Sequence, residues 1–130
     1  MCLEKIMKWF EALKRYCVLS RFREYFSSIK VLGKGNFAKV FLVERKTDKK
    51  KYAVKVFDKN LILSDELERK CLVYELTMMR RVEYDGILRI REIYEGENYI
   101  YCLCDLCDGG HLLHKMIKTG HMVEPKAVKL

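Results

Sequence analysis

Val31-Leu32-Gly33-Lys34-Gly35-Asn36-Phe37-Ala38-Lys39-Val40, followed by Tyr52-Ala53-Val54-Lys55, is the stretch whose reading decides the fold. It reads as strand, glycine turn, strand, and then a third strand bearing a lysine. Ile29 and Val31, then Val40 and Leu42 with Phe41 and Val43 on the other face, are β-formers at the period of a pleated hairpin. Gly33 and Gly35 fall at the turn, where a missing side chain lets backbone amides approach a bound anion. On the next strand Ala53 and Lys55 share a face, so a small residue and a cation point the same way. An ammonium beside such a turn suits a phosphate.

A dinucleotide-binding fold uses a similar glycine string but needs a helix directly after it. Val40-Phe41-Leu42-Val43 is a poor helix start and a good strand. Further along, Ser64 or Asp65 opens a helix, with Asp65-x-x-Glu68 in capping-box spacing. Leu72, Glu75, Met79 and Val82 lie along one face of that helix, and Glu75 is the odd one out. A carboxylate amid apolar neighbours needs a cationic partner, and Lys55 is the candidate.

The glycine hairpin, strand lysine and helix glutamate together resemble the small lobe of a protein kinase. Ala38 stands where the third glycine of the loop falls, and Gly33 to Val40 is similar to the loops of calcium/calmodulin-dependent and microtubule-affinity-regulating kinases. The resemblance implies an α+β fold: a five-stranded antiparallel sheet with one main helix, preceded by an amphipathic helix and followed by the first helices of a large lobe. It divides the chain into residues 1–24, an amphipathic helix and linker, and 25–130, a truncated kinase domain with small lobe 25–107 and start of large lobe 108–130. Strands are expected at Ile87–Tyr94 and Tyr99–Leu106, joined by the Glu95-Gly96-Glu97-Asn98 turn. Short helices are expected from Leu112 to Ile117 and from Glu124-Pro125.

The same resemblance implies an ATP pocket. Leu32 and Val40 would cover the adenine, Ala53 would lie against the ring, and Asp105 and Cys107 would offer backbone groups to its edge. Gly33, Lys34, Gly35, Asn36, Phe37, Ala38 and Lys39 would cover the phosphates, and Lys55, held by Glu75, would grip them. Cys104 takes the gatekeeper position, and His111 stands where many kinases place a ribose-binding glutamate. Met79 and Ile90 match positions that couple helix to sheet. The His-Arg-Asp loop, the magnesium-binding asparagine, Asp-Phe-Gly and Ala-Pro-Glu are not among the 130 residues. Mg2+ is therefore expected only with the large lobe, and no catalysis is expected of this stretch alone. The implied function is the ATP-binding portion of a serine/threonine kinase acting on protein hydroxyls. The alternative is a non-catalytic kinase-like module that binds or regulates another protein.

Composition narrows the classes. Twenty-six basic against 18 acidic residues give a net charge of +8, spread along the chain rather than gathered with aromatics, which argues against nucleic acid. The six cysteines (2, 17, 71, 102, 104, 107) lack disulfide-scaffold spacing, and no secretory leader pattern precedes them, which points to a reduced, cytoplasmic setting. Cys104-x-x-Cys107 with His111-x-x-His114 offers four metal ligands at short spacing. Against that, Cys102 and Cys104 alternate along a strand with Cys107 facing the other way, and no metal site is expected. No apolar run approaches the length of a membrane span.

Residues 1 to about 19 carry Leu3, Ile6, Met7, Phe10, Leu13 and Cys17 at helical steps, with Lys14 a blemish near the apolar side. Such a helix packs on something; a lipid surface or a calmodulin-type partner would also suit its basic, amphipathic character. Trp9-x-x-x-Leu13 is similar to the closing helix of a pleckstrin-homology domain. Ser20 to Glu24 reads as a basic linker.

Overall fold

A computed structural model describes residues 3–14, 16–35, 38–82 and 84–120. The expected helix from Glu124-Pro125 lies outside them. The elements run α1 (Leu3–Leu13), β1 (Val18–Leu19), α2 (Phe22–Tyr25), β2 (Phe26–Lys34), β3 (Ala38–Arg45), β4 (Lys51–Asp58), α3 (Lys59–Ser64), α4 (Glu66–Arg81), β5 (Ile90–Glu95), β6 (Tyr99–Cys104) and α5 (Leu112–Thr119). The architecture is α+β, as the kinase resemblance implies.

The six strands lie in the order β1-β5-β6-β4-β3-β2. Five are antiparallel neighbours, β2 to β6, matching the expected sheet. The sixth corrects the expected count: Val18 and Leu19 pair in parallel with Ile93 and Tyr94. Two residues are too few to show a period, and they fell inside a helical pattern that in fact ends at Leu13. The presumed linker at 20–24 also holds structure. Phe22 opens the four-residue α2 and is buried, stacked on Phe26 at 4.9 Å and on Tyr101 at 4.4 Å.

Strand alternation builds two apolar clusters, one on each face of the sheet. Phe22, Phe26, Val43, Tyr52, Val54, Tyr94 and Leu103 form the first. Phe57, Ile62, Leu72, Ile93 and Cys102 form the second, against which Leu76 and Ile90 pack. The second cluster seats α3 and α4. By pattern alone Phe57-Asp58-Lys59-Asn60 reads as the end of the third strand, but the strand stops at Asp58, and Lys59 and Asn60 open α3. Asp58 caps it by accepting from the Asn60 amide at 2.9 Å, and Ile62 is its buried anchor. Asp65 then caps α4, accepting from the Leu67 and Glu68 amides at 2.8 and 3.3 Å.

Candidate functional site

Lys55 reaches the site from β4 because residues directly opposite in an antiparallel ladder share a face. Val40, Lys55 and Cys102 are in register across β3, β4 and β6, as are Leu42, Ala53 and Cys104 one step along. Lys55 therefore emerges on the face of the second cluster, beneath the β2–β3 turn. Its Nζ donates to Glu75 Oε1 at 2.5 Å and lies 5.0 Å from the centroid of the Phe57 ring. Neither Lys55 nor Glu75 is fully buried, which leaves the ammonium accessible to a further anion.

A cavity of about 450 Å³ surrounds the pair, walled by Gly33, Gly35, Ala38, Val40 and Leu72 among others. Of the expected site residues it joins Gly33, Lys34, Gly35, Ala38, Val40, Lys55 and Glu75. Asn36 and Phe37 lie outside the described residues. Leu32, Ala53, Cys104, Asp105, Cys107 and His111 do not line this cavity. Ala53 and Cys104 sit beside it on the same face, Leu32 and Cys107 are exposed, and His111 precedes α5 with its ring 5.7 Å from that of His114. The Asp105 carboxylate pairs with Arg91, and that hydrogen bond holds the Arg91 guanidinium above its usual range.

The turn itself departs from the expectation in one respect. Gly35 donates its amide to the Ala38 carbonyl at 2.8 Å, closing the hairpin, so that amide is engaged rather than free. Neither Gly33 nor Gly35 has a positive φ, so the left-handed region is not what these positions require. Gly33 has open space where a Cβ would stand. The glycines thus keep the roof of the cavity thin.

Four lining residues escaped the sequence reading: Phe57, Ile62, Glu68 and Cys71. Glu68 and Cys71 precede Glu75 by seven and four residues, which puts all three on one helix face, and that spacing is the signal. Phe57 follows Lys55 by two and so shares its side of the strand. Cys102 and Cys104 are buried, which pushes their thiols up to about 12 and about 11 and keeps them protonated at neutral pH. Among the described residues no group of three or more histidines, cysteines or carboxylates is arranged to hold a metal. A larger cavity, about 700 Å³, lies on the opposite face over Phe41, Val54, Val56 and Tyr101. It is larger, but the lysine–carboxylate pair and the glycine turn are in the smaller one, and chemistry rather than size marks the site.

A twisted sheet with a glycine-turn roof, an internal lysine and a helix glutamate facing it defines the small lobe of a protein kinase. The chain belongs to the protein kinase family: residues 26–130 match the Protein kinase domain. Among its relatives is human serine/threonine-protein kinase H2, 35% identical over 100 residues, covering 77% of this chain and 25% of that protein. Calcium/calmodulin-dependent protein kinase type 1 of Caenorhabditis briggsae is 34% identical over 112 residues, 85% of this chain and 31% of that one. Calcium-dependent protein kinase 4 of Plasmodium berghei is 29% identical over 109 residues, 84% and 20% respectively. The chain thus spans a fifth to a third of the length of these serine/threonine kinases. No helix among the described residues is long and apolar enough to cross a membrane.

Proposed function

We propose that this chain is the ATP-binding portion of a serine/threonine protein kinase, supplying the small lobe to an enzyme that phosphorylates protein hydroxyls. The observation that carries the reading is the Lys55–Glu75 contact at 2.5 Å inside the cavity roofed by Gly33 to Gly35. A lysine held by a carboxylate is oriented, yet keeps two N–H donors for phosphate oxygens. Val40 and Ala53 supply the apolar walls for the base, with Leu32 above and the 104–107 backbone at its edge. By the kinase resemblance we assign Asn36 and Phe37 to the loop that covers the phosphates and His111 to the ribose. We assign residues 25–107 to the small lobe and 108–130 to the start of the large lobe. The structure adds that Phe22 packs into the core shared by Phe26.

Mg2+ accompanies ATP in kinases and neutralises the developing phosphate charge. Its ligands are assigned to the large lobe, as the kinase resemblance implies. The cytoplasm, where ATP and reduced thiols coexist, is the compartment proposed.

The alternative reading, a non-catalytic module, is favoured by one observation: Leu67, Val73, Tyr74 and Met78 are exposed along α4 and would serve a protein partner. The apolar face of α1, with Lys5 and Lys8 beside it, is where a calmodulin-like or lipid partner would meet the chain. Titration of the full chain with a fluorescent ATP analogue separates the two main readings. Wild type should bind and Lys55→Met should bind at least about tenfold more weakly, the loss of a charge-assisted hydrogen-bond set. Equal binding by both proteins removes Lys55 from its role; no binding by wild type favours the module.

A further inference from the structure

Glu75 is useful to Lys55 only while α4 stays where it is, and α4 is lightly held. Of its 16 residues Leu72 alone is fully buried, while Leu67, Val73, Tyr74 and Met78 face outward. Its N-terminal cap, Asp65, is local to the helix and does not anchor it to the sheet. The far end differs. There Arg80 is half-buried, its Nε buried with no hydrogen-bond partner among the described residues, and its Nη2 donates to the Cys17 carbonyl at 3.4 Å.

The segment that supplies Cys17 is itself pinned. Val18 and Leu19 add to the sheet beside β5. Just before them Lys14 Nζ binds Glu92 at 2.9 Å and Glu11 at 2.6 Å. Glu92 is only 5% exposed, also accepts the Tyr94 hydroxyl at 2.6 Å, and has Arg45 at 3.8 Å. Removing Lys14 would leave the nearly buried Glu92 carboxylate with only the Tyr94 hydroxyl and the more distant Arg45 to hold its charge, which weakens the hold of this segment on the sheet.

We propose that Lys14 and Arg80 are positioning residues for Glu75, with Lys14 and residues 16–19 serving as a brace between the sheet and the last turn of α4. Arg80 lies five residues beyond Glu75, about 7.5 Å along a stiff helix, so a displacement at one is carried to the other. The brace precedes residues 26–130, the stretch that matches the family. It is a feature of this chain's N-terminal segment. The inference rests on the nucleotide reading of Lys55 and Glu75, and its test keeps the two apart.

In the full chain, Lys14→Met and Arg80→Met should each weaken binding of the fluorescent ATP analogue about three- to tenfold, the scale of one charged hydrogen bond. Neither should add a further loss when Glu75 is already Gln, because both act through that carboxylate. Lys14→Arg should restore wild-type affinity. Amide exchange should quicken at residues 76–81 in both Met variants, and in Arg80→Met more there than at 99–104. Undiminished affinity, an undiminished further loss in the Glu75→Gln background, or unaltered exchange at 76–81 overturns the brace. If wild type and Lys55→Met bind alike, the nucleotide reading falls instead, and the exchange result still decides whether the brace exists.

Discussion

Cys102 and Cys104 show how a single strand position settles a side chain's chemistry. Both face inward from β6, 2% and 5% exposed, and burial raises their thiols well above the ordinary 9.0. Cys17, Cys71 and Cys107 are exposed. Iodoacetamide at about pH 8 should therefore alkylate the exposed three quickly and the buried pair only as the protein unfolds; peptide mass spectrometry reads the order. Rapid modification of Cys102 in folded protein would contradict its placement. The Cys-Leu-Cys alternation was enough to put 102 and 104 on one face, but not to say which face was covered. Glu75 was legible for the opposite reason: a carboxylate in an apolar helical row stands out by chemistry, and Lys55 was the cation its helix could reach. Glu92 was illegible. Its partners Lys14 and Arg45 stand 78 and 47 residues before it in the chain, and no local pattern connects them.

At the scale of elements, α4 depends on a cap and an anchor that can be weighed separately. Asp65→Ala should cost about 1 kcal/mol, the usual worth of an N-cap carboxylate. Leu72→Ala should cost about 3 kcal/mol, since it removes a buried side chain and leaves a void against Ile62 and Phe57. Urea unfolding of the variants measures both, and the reverse ranking would mean that the cap rather than the core holds the helix. The start of α4 was readable because Asp65-x-x-Glu68 is a local signal. The preceding α3 was not, because Lys59-Asn60-Leu61-Ile62-Leu63-Ser64 is shorter than two turns and its apolar run suits a strand equally well. Strand β2 was legible from Ile29 and Val31 as one arm of a pleated hairpin, a pattern that carries no sign of a bulge. Its pairing with β3 instead slips twice, between Ser28 and Lys30 and between Val31 and Gly33, as the chain bends toward the glycine turn.

For the whole molecule, the N-terminal segment is the part whose role changes most on seeing the fold. Its helix α1 keeps Ile6, Met7, Trp9, Phe10 and Leu13 at the surface, Trp9 at 66% exposure, and Lys14, just past the helix, reaches Glu92 on β5. Burial works against the Lys14 charge, but the hydrogen bonds it donates to Glu11 and Glu92 outweigh it and raise its pKa above 10.5. A base with a raised folded pKa contributes stability that is complete below the unfolded value and lost as the pH climbs through the folded one. With Arg45 and Tyr94 also facing Glu92, the stability gap between wild type and Lys14→Met should be complete at neutral pH and close only as the pH climbs past the ordinary lysine value of 10.5. Thermal melts across that range test it, and a gap that closes near neutrality would assign the clamp to another group. The sheet's two rims complete the picture. An open strand rim is a template on which another chain can add a strand. Here β1 covers Ile93 and Tyr94 on one side, while Lys30, Lys34 and two register slips interrupt β2 on the other. The two residues of β1 thus act as a guard against self-templating, and a chain cut to begin at Ser20 would lay bare the most apolar stretch of β5 to its neighbours.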